Sequence, residues 1–383
     1  MNTASITAGR SNGLWLGVGG VALVASLGAA LLALMTQGHA SFNTTGDGVS
    51  WGLPVVVYVY FSMLSTGLAL VSSLATVFGF KEFAPVAKRC IWVSIGALIA
   101  GFTALALEMG HPFRMLWAVP LNFQVSSPLV WMGIFYAVCL VVLALKFQKI
   151  QAGDWDSPGS HTLAKLGVVF EVLAIGTLGA AFGMMAMRPL WYGPEVPVLF
   201  LATACLLGVA GAFLLSFMAY GTSHDGMPSK VRALLTGALP KLFALLIGVS
   251  LVLVGYRVIT TLWSNADGLQ VAHALYKSPL FFFEFFIGLA LPFYLMLNAG
   301  TRNQPTMQLV SALLVCVSAF IGRYEYIVGG QLVPLFKGSW VNGLIDYTPS
   351  MTEWMLLLAA VAITVTFYAF GEKAMNLEDQ PKD

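Results

Sequence analysis

Ten long apolar stretches, separated by short polar segments, make up most of this chain of 383 residues. The hydrocarbon core of a bilayer is about 30 Å thick, and a helix needs roughly 20 apolar residues to cross it. The stretches long enough to do so lie near residues 14–35, 53–79, 91–109, 128–147, 166–187, 196–220, 233–262, 279–298, 306–326 and 351–371. The pattern predicts an all-α integral membrane protein with ten transmembrane helices.

The composition supports this class. Hydrophobic residues make up 58% of the chain and charged residues only 9%, whereas soluble domains carry about 25% charged residues. The net charge of +2 is small and gives no reason to expect a nucleic-acid partner. The lipid bilayer is the expected surrounding.

The basic residues predict the orientation. If the amino terminus is cytoplasmic, 13 of the 19 Lys and Arg residues face the cytoplasm, as the positive-inside rule requires. Both termini are then cytoplasmic. The basic residues on the opposite side are Arg114, Arg188, Arg257, Lys277, Arg323 and Lys337.

An internal repeat divides the sequence. Ser127-Pro128-Leu129 opens the fourth stretch, and Ser278-Pro279-Leu280 opens the eighth; Pro54 and Pro197 begin the second and sixth in a similar way. The repeat predicts two related four-helix bundles, with the first and tenth helices peripheral. The predicted domain boundaries are 1–50, 51–195 for the first bundle, 196–330 for the second, and 331–383.

A carboxylate, an imidazole and a guanidinium follow one another where the third stretch ends. Glu108 and His111 are three residues apart and share a helix face if the helix extends that far, and Arg114 follows Pro112. Such groups can bind a carbonyl oxygen and transfer protons to it. The alternative is an ion pair that caps the helix.

Two phenols lie in the outer half of the second stretch. Tyr58 and Tyr60 can donate hydrogen bonds to a quinone carbonyl while the apolar surface around them accepts the ring. Aromatic residues at the membrane interface are also common without any such role.

Ionisable residues at membrane depth suggest a proton path. Glu171 lies near the cytoplasmic end of the fifth stretch and Glu284 near the outer end of the eighth. Arg257 and Arg323 are plausible partners for Glu284 on neighbouring helices. Charges inside a membrane are costly and usually functional, although structural salt bridges are an alternative.

A polar rim at two other helix ends is a candidate docking surface. Arg188 and Trp191 follow the fifth stretch, and Tyr324 and Glu325 end the ninth. Arginines at helix ends also extend towards the interface without any partner.

Resident redox cofactors are not expected in this protein. The four cysteines lie apart with no CxxC pair, whereas iron–sulfur clusters need grouped thiolates. A transmembrane haem needs histidines inside facing helices, and only His111 approaches one. The cysteines are Cys90, Cys139, Cys205 and Cys316, and the loop histidines are His39, His161, His224 and His273.

Several short motifs together resemble the NrfD-like family, the membrane anchors of polysulfide reductases and related respiratory complexes. These motifs are residues 108–114, Ser127-Pro128-Leu129 with Trp131, and the run RPLWYG at 188–193. The segment 347–354 and the ten-helix length are similar to the longer members.

The resemblance implies a cofactor-free subunit in a bacterial inner membrane that reacts with menaquinone or ubiquinone. It also implies a ferredoxin-like iron–sulfur partner on the periplasmic side and, through it, a catalytic subunit with molybdopterin. Tyr60 falls where polysulfide reductase anchors place a quinone-contacting histidine. A secondary transporter and a purely structural anchor remain the alternatives.

Overall fold

The computed structural model describes residues 3–45, 48–114, 117–118, 121–264, 270–334 and 343–380, with side chains from residue 13 onwards. These residues form helices and connecting turns, with no strand among them. The predicted outer Lys337 and part of the predicted last domain, residues 335–342 and 381–383, lie outside the described residues.

Ten helices within the described residues are long and apolar enough to cross a membrane, which confirms the predicted fold class. We number them α1 to α10: α1 (Thr3–Gln37), α2 (Leu53–Thr76), α3 (Ala84–Glu108), α4 (Pro128–Gln151), α5 (Pro158–Gly183), α6 (Val196–Tyr220), α7 (Ala238–Trp263), α8 (Pro279–Leu297), α9 (Pro305–Gly329) and α10 (Met351–Ala374). The cytoplasmic orientation of both termini stays a prediction.

Proline and serine mark the beginnings of many helices. Seven of the ten have Pro in their first two positions, where the missing N–H costs no hydrogen bond. The hydroxyls of Ser157 and Ser278 accept backbone N–H groups in the first turns of α5 and α8. Of the two repeated Ser-Pro-Leu motifs, the one at Ser278 therefore caps its helix through the serine hydroxyl, whereas Ser127 precedes α4 without a side-chain cap.

Helix α3 begins at Ala84, before the residue 91 that hydropathy predicted. Lys88 and Arg89 lie in this extra length and are nearly fully buried. Arg89 pairs with Glu372 of α10 and donates a hydrogen bond of 3.3 Å to the Tyr220 hydroxyl of α6. The helix extends because its charges have partners, which a hydropathy scale does not register.

The helices pack in two groups of four. In the first group α2 contacts α3 and α5, and α4 contacts both α3 and α5; in the second, α6 and α8 each contact α7 and α9. Helices α1 and α10 contact each other, and α10 also packs against α3. This grouping agrees with the repeat, while the domain boundaries stay a prediction.

The two groups meet along α2 and α6 at a pair of glycines. A Cβ on Gly67 would collide with the carbonyl oxygen of Ala204 and lie 2.6 Å from the backbone nitrogen of Gly208. A Cβ on Gly208 would collide with the Gly67 backbone in turn. Small residues let the two backbones come this close, so the relative position of the two groups depends on this contact.

Candidate functional site

The predicted site at the end of α3 lies partly on the helix and partly on the turn that follows. Glu108 is the last residue of α3 and is half-buried, while Pro112–Arg114 forms a short 3₁₀ turn. His111 and Arg114 are exposed. The helix does not reach His111, so the expected shared helix face with Glu108 is absent.

An open crevice lies beside this turn, against the first turn of α4. It has a volume of about 490 Å³ and is lined by residues that include Met109, His111, Arg114 and Val130. An adjoining depression is lined by His111 and Arg114 again, together with Trp117, whose ring lies 5.9 Å from the Arg114 guanidinium carbon. The arrangement places an imidazole and a guanidinium at an apolar opening in the surface.

A second carboxylate lies behind Glu108. Glu353, in the first turn of α10, is fully buried and lies within electrostatic range of Glu108. The Tyr347 hydroxyl donates a 2.9 Å hydrogen bond to Glu353 and accepts one of 2.8 Å from the backbone N–H of Leu53. Burial raises the pKa of Tyr347, so it stays protonated and keeps donating.

Glu353 and Tyr347 are not among the site residues that were predicted from the sequence. Ser350 and Glu353 form a capping box, in which each side chain accepts the other's backbone N–H. The pattern Ser-x-x-Glu before an apolar run signals such a helix start. It predicts the cap, but it does not indicate that this carboxylate lies next to Glu108.

The two predicted quinone-binding tyrosines lie on different sides of α2. The Tyr58 hydroxyl contacts the sulfur of Met132 of α4 at 3.4 Å, and its ring packs near Phe102 of α3. Tyr60 packs instead against Phe320 of α9, with ring centroids 5.4 Å apart. Residues two apart on a helix point about 200° apart, so only Tyr58 faces the interior of the first group.

Buried polar side chains continue from Tyr58 towards the predicted cytoplasmic side. Ser62 and Thr66 of α2 and Tyr136 of α4 are fully buried, and none of their three hydroxyls has a hydrogen-bond partner within the described residues. Ser62 lies beside both Tyr58 and Tyr136. Unpaired buried polar groups are rare in proteins, so this row of hydroxyls needs an explanation.

The row ends at two buried charged residues. Glu171 of α5 is 2% exposed and lies beside Thr66, and Lys146 of α4 is 3% exposed and within electrostatic reach of Glu171. One carboxylate oxygen of Glu171 has no hydrogen-bond partner in the described part of the chain. We name Tyr58, Ser62, Thr66, Tyr136, Glu171 and Lys146 the polar row.

The other predicted proton-path residues gather in the second group. Arg257, Glu284 and Arg323 line one cavity of about 60 Å³. Glu284 lies in a π-helical segment of α8, Phe283–Ala290. Such segments occur frequently at functional sites.

The two arginines of this cavity leave some of their N–H groups without a hydrogen-bond partner in the described part of the chain. Arg257 donates to the Leu190 carbonyl and lies 4.3 Å from the ring centroid of Tyr326. Arg323 is 5% exposed and lies 4.9 Å from the ring centroid of Phe200. One nitrogen of Arg257 and two of Arg323 lack hydrogen-bond partners among the described residues.

The predicted docking residues mainly contact other residues of this chain. Arg188 donates to the carbonyls of Gln331 and Val333 at 3.2 and 2.8 Å, and burial lowers its pKa. Trp191 is buried and stacks on Trp51, with ring centroids 5.4 Å apart. These contacts connect the start of α2 to the end of α9.

The other two docking residues differ in exposure. Glu325 is buried and accepts a hydrogen bond from Ser278, whereas Tyr324 is partly exposed. Buried Trp191 and Glu325 therefore present no surface to a partner in this structure. The docking role of the four residues stays a prediction.

The family profile described as polysulphide reductase, NrfD, matches residues 42–334 of the chain. The chain belongs to this family. The match covers eight of the ten long helices, α2 to α9, and includes the end of α3, the polar row and the cavity of the second group. Among the described residues, no cluster of three His, Cys, Asp or Glu side chains is placed to hold a metal ion.

Curated relatives of this NrfD-family chain are subunits of redox complexes. An Hdr-like menaquinol oxidoreductase integral membrane subunit from Archaeoglobus fulgidus is 23% identical over 93% of this chain and 92% of its own length. A selenate reductase subunit from Mesobacillus selenatarsenatis is 23% identical over 87% of both sequences. A polysulfide reductase subunit from Wolinella succinogenes is 26% identical over 46% of this chain and 62% of its own length.

Proposed function

We propose that this chain is the quinone-reactive membrane subunit of a respiratory oxidoreductase complex in a bacterial inner membrane. It exchanges electrons with a periplasmic iron–sulfur subunit and, through that subunit, with a catalytic subunit that holds molybdopterin. The observation that carries the proposal is the crevice beside α3, lined by His111 and Arg114 in a chain whose relatives include a menaquinol oxidoreductase subunit.

The chemistry of this crevice suits a quinone ring. Reduction of a quinone to a quinol takes up two electrons and two protons, and oxidation releases them. The exposed His111 and Arg114 donate hydrogen bonds to a carbonyl oxygen, and an imidazole can also transfer a proton to it. The apolar lining accepts the ring.

Glu108 and Glu353 serve as the proton-exchanging pair in this proposal. Two carboxyl groups close to each other and shielded from water do not both ionise readily, so they tend to share a proton. Glu353 is held by Tyr347 and by its capping box. Glu108, half-buried at the end of α3, is the member of the pair nearer the crevice.

The polar row supplies a route for protons from the cytoplasmic side. Its hydroxyls are neighbours without direct hydrogen bonds, so water or small rotations complete the connections. Glu171 accepts protons at one end and Tyr58 delivers them towards the crevice. Arg257, Glu284 and Arg323 form a separate route or a proton-storing group in the second half of the chain.

The test is quinone-linked turnover by the complex purified through a tag on this chain. Reduced benzyl viologen supplies electrons, and a water-soluble menaquinone analogue accepts them. We expect Glu108→Gln and His111→Ala to lower turnover by about 100-fold, the lower end of what general acid–base groups contribute. Matched controls are Glu82→Gln and His161→Ala, both exposed and remote from the crevice.

The outcomes separate the possible roles. Unchanged turnover of both variants in an assembled complex would remove this site assignment. A wild-type complex without any quinone-dependent turnover would contradict the proposed function and favour a structural anchor. Solute uptake by the isolated chain in vesicles would favour a transporter.

A further inference from the structure

A groove follows α7 and α8 on the surface of the second group, near the end at which α7 begins. Its volume is about 700 Å³. Leu245 and Val252 of α7 and Leu297 of α8 line it and are 62%, 71% and 55% exposed. An apolar surface of this kind requires an apolar neighbour.

Small side chains make the groove deep. A Cβ on Gly248 would lie 2.9 Å from Cε2 of Phe293 of α8, so the two helices meet closely behind the groove. Ala244, one turn before Gly248, is buried. Residues four apart share a helix face, so Ala244 and Gly248 form one continuous floor on α7.

Two cations lie at the end of this groove. Lys241 is in the first turn of α7 and is exposed, and Arg302 ends the short helix Ala299–Arg302. The Nε–H of Arg302 is buried and has no hydrogen-bond partner in the described part of the chain. None of the ion pairs found among the described residues involves Lys241 or Arg302.

The lining contains no acidic residue, so the positive charge at this end of the groove is not balanced by the residues around it. A buried guanidinium N–H that lacks an acceptor is costly. An anion that carries an apolar chain would pair with the two cations and fill the apolar groove at the same time. Phosphate fits best, since arginine and lysine are its usual protein ligands.

We propose that this groove binds an anionic phospholipid, with an acyl chain against Ala244 and Gly248 and the phosphate between Lys241 and Arg302. Basic pockets between transmembrane helices on the cytoplasmic side recognise anionic head groups in this way. The sequence predicts that this end of α7 lies on the cytoplasmic face. The inference does not depend on the proposed function.

The test is native mass spectrometry of the full-length chain, titrated with phosphatidylglycerol or with phosphatidylethanolamine carrying the same acyl chains. We expect the chain to retain one phosphatidylglycerol molecule tightly and to bind phosphatidylethanolamine more weakly. Lys241→Ala and Arg302→Ala should each weaken phosphatidylglycerol binding by about fivefold and the double variant by about 25-fold. Val249→Trp should reduce the binding of both lipids by filling the groove, because Val249 lines it.

Two controls make the result specific. Lys165→Ala removes an exposed lysine near the predicted cytoplasmic end of α5 and should not change the binding of either lipid. Lys241→Arg should retain the preference for phosphatidylglycerol. Equal binding of the two lipids, or an unchanged preference in the double variant, would overturn the proposal. Displacement of the lipid by millimolar inorganic phosphate would show an anion site without lipid recognition. Cross-linking of the Val249→Cys variant to another protein would show a protein partner instead.

Discussion

The two groups of four helices use the same packing arrangement but differ in the surroundings of the charged residues at their predicted outer ends. In the first group, His111 and Arg114 line an opening at the surface. In the second group, Arg257, Glu284 and Arg323 line a small cavity among their own helices. The first arrangement is open to a ligand, whereas the second holds charges between helices, where each buried charge depends on its partners.

The largest expected effect tests the charges that line this cavity. Arg323→Met leaves Glu284 with Arg257 as its remaining nearby cation, and removing one member of a buried charge group costs about 3–5 kcal/mol. Arg114→Met removes an exposed arginine of the other group and should change stability by less than about 1 kcal/mol. Chemical unfolding of the purified chain in detergent micelles measures both, and equal losses would contradict the comparison.

The contact between the two groups gives the next largest effect. Gly67→Ala places a methyl group against the backbone of Ala204, and overpacking costs about 1–3 kcal/mol. Gly133→Ala is the control, because its Cβ would meet nothing within 4 Å, and it should stabilise α4 by roughly 0.5–1 kcal/mol through helix propensity. If both variants unfold at the same denaturant concentration, the two groups do not depend on this contact.

The two tyrosines of α2 allow the two groups of helices to be compared by single substitutions. Tyr58 faces the interior of the first group, and Tyr60 faces α9 of the second. Tyr58→Phe should lower quinone-linked turnover about tenfold, less than the roughly 100-fold expected for a general acid–base group itself, because Tyr58 only delivers protons towards the crevice. Tyr60→Phe should leave turnover nearly unchanged. The reverse order would move the proposed quinone site to the boundary between the groups.

The smallest effect concerns the turns at the predicted cytoplasmic side. In the turn between α4 and α5, Asp154 accepts a 2.8 Å hydrogen bond from Lys149, and this bond is the main reason why the pKa of Asp154 falls from 3.8 to about 2. Its stabilising contribution is complete above pH 3.8 and is lost as the pH falls through about 2. The matching turn between α8 and α9 is capped by the neutral side chain of Asn298.

Hydrogen exchange measured between pH 4 and pH 2 compares the two turns. After correction for the intrinsic pH dependence, exchange should rise in residues 152–160 and not in residues 298–305. Asp154→Asn should abolish the difference. A parallel rise in both turns would attribute the effect to general loosening at low pH.

The number and type of helices could be predicted from the sequence because a bilayer demands long apolar segments whatever their neighbours are. The motifs at residues 108–114 and 188–193 also sufficed to indicate the family, which the match over residues 42–334 confirms. The start of α3 could not be predicted, since Lys88 and Arg89 enter the helix only because their partners lie elsewhere in the protein.

The site was predicted less completely than the fold. His111 and Arg114 do line a crevice together, but no local pattern joins Glu353 to Glu108, because the two are 245 positions apart in the sequence. Helix geometry predicts that Tyr58 and Tyr60 point in nearly opposite directions. It does not predict which neighbouring helix each side chain contacts. The assignment of these residues to quinone chemistry stays a prediction.

The sequence by itself determined that this protein has ten segments able to span a membrane, because hydrophobicity and segment length act locally. The tertiary structure alone decided which charges face an opening at the surface, which share a small cavity between helices and which hydroxyls form the polar row. Those features depend on side chains brought together from distant helices. The energy of each charge or hydroxyl depends on how deeply it is buried and on which hydrogen-bonding or charged partners it has. Neither is a property of any one segment.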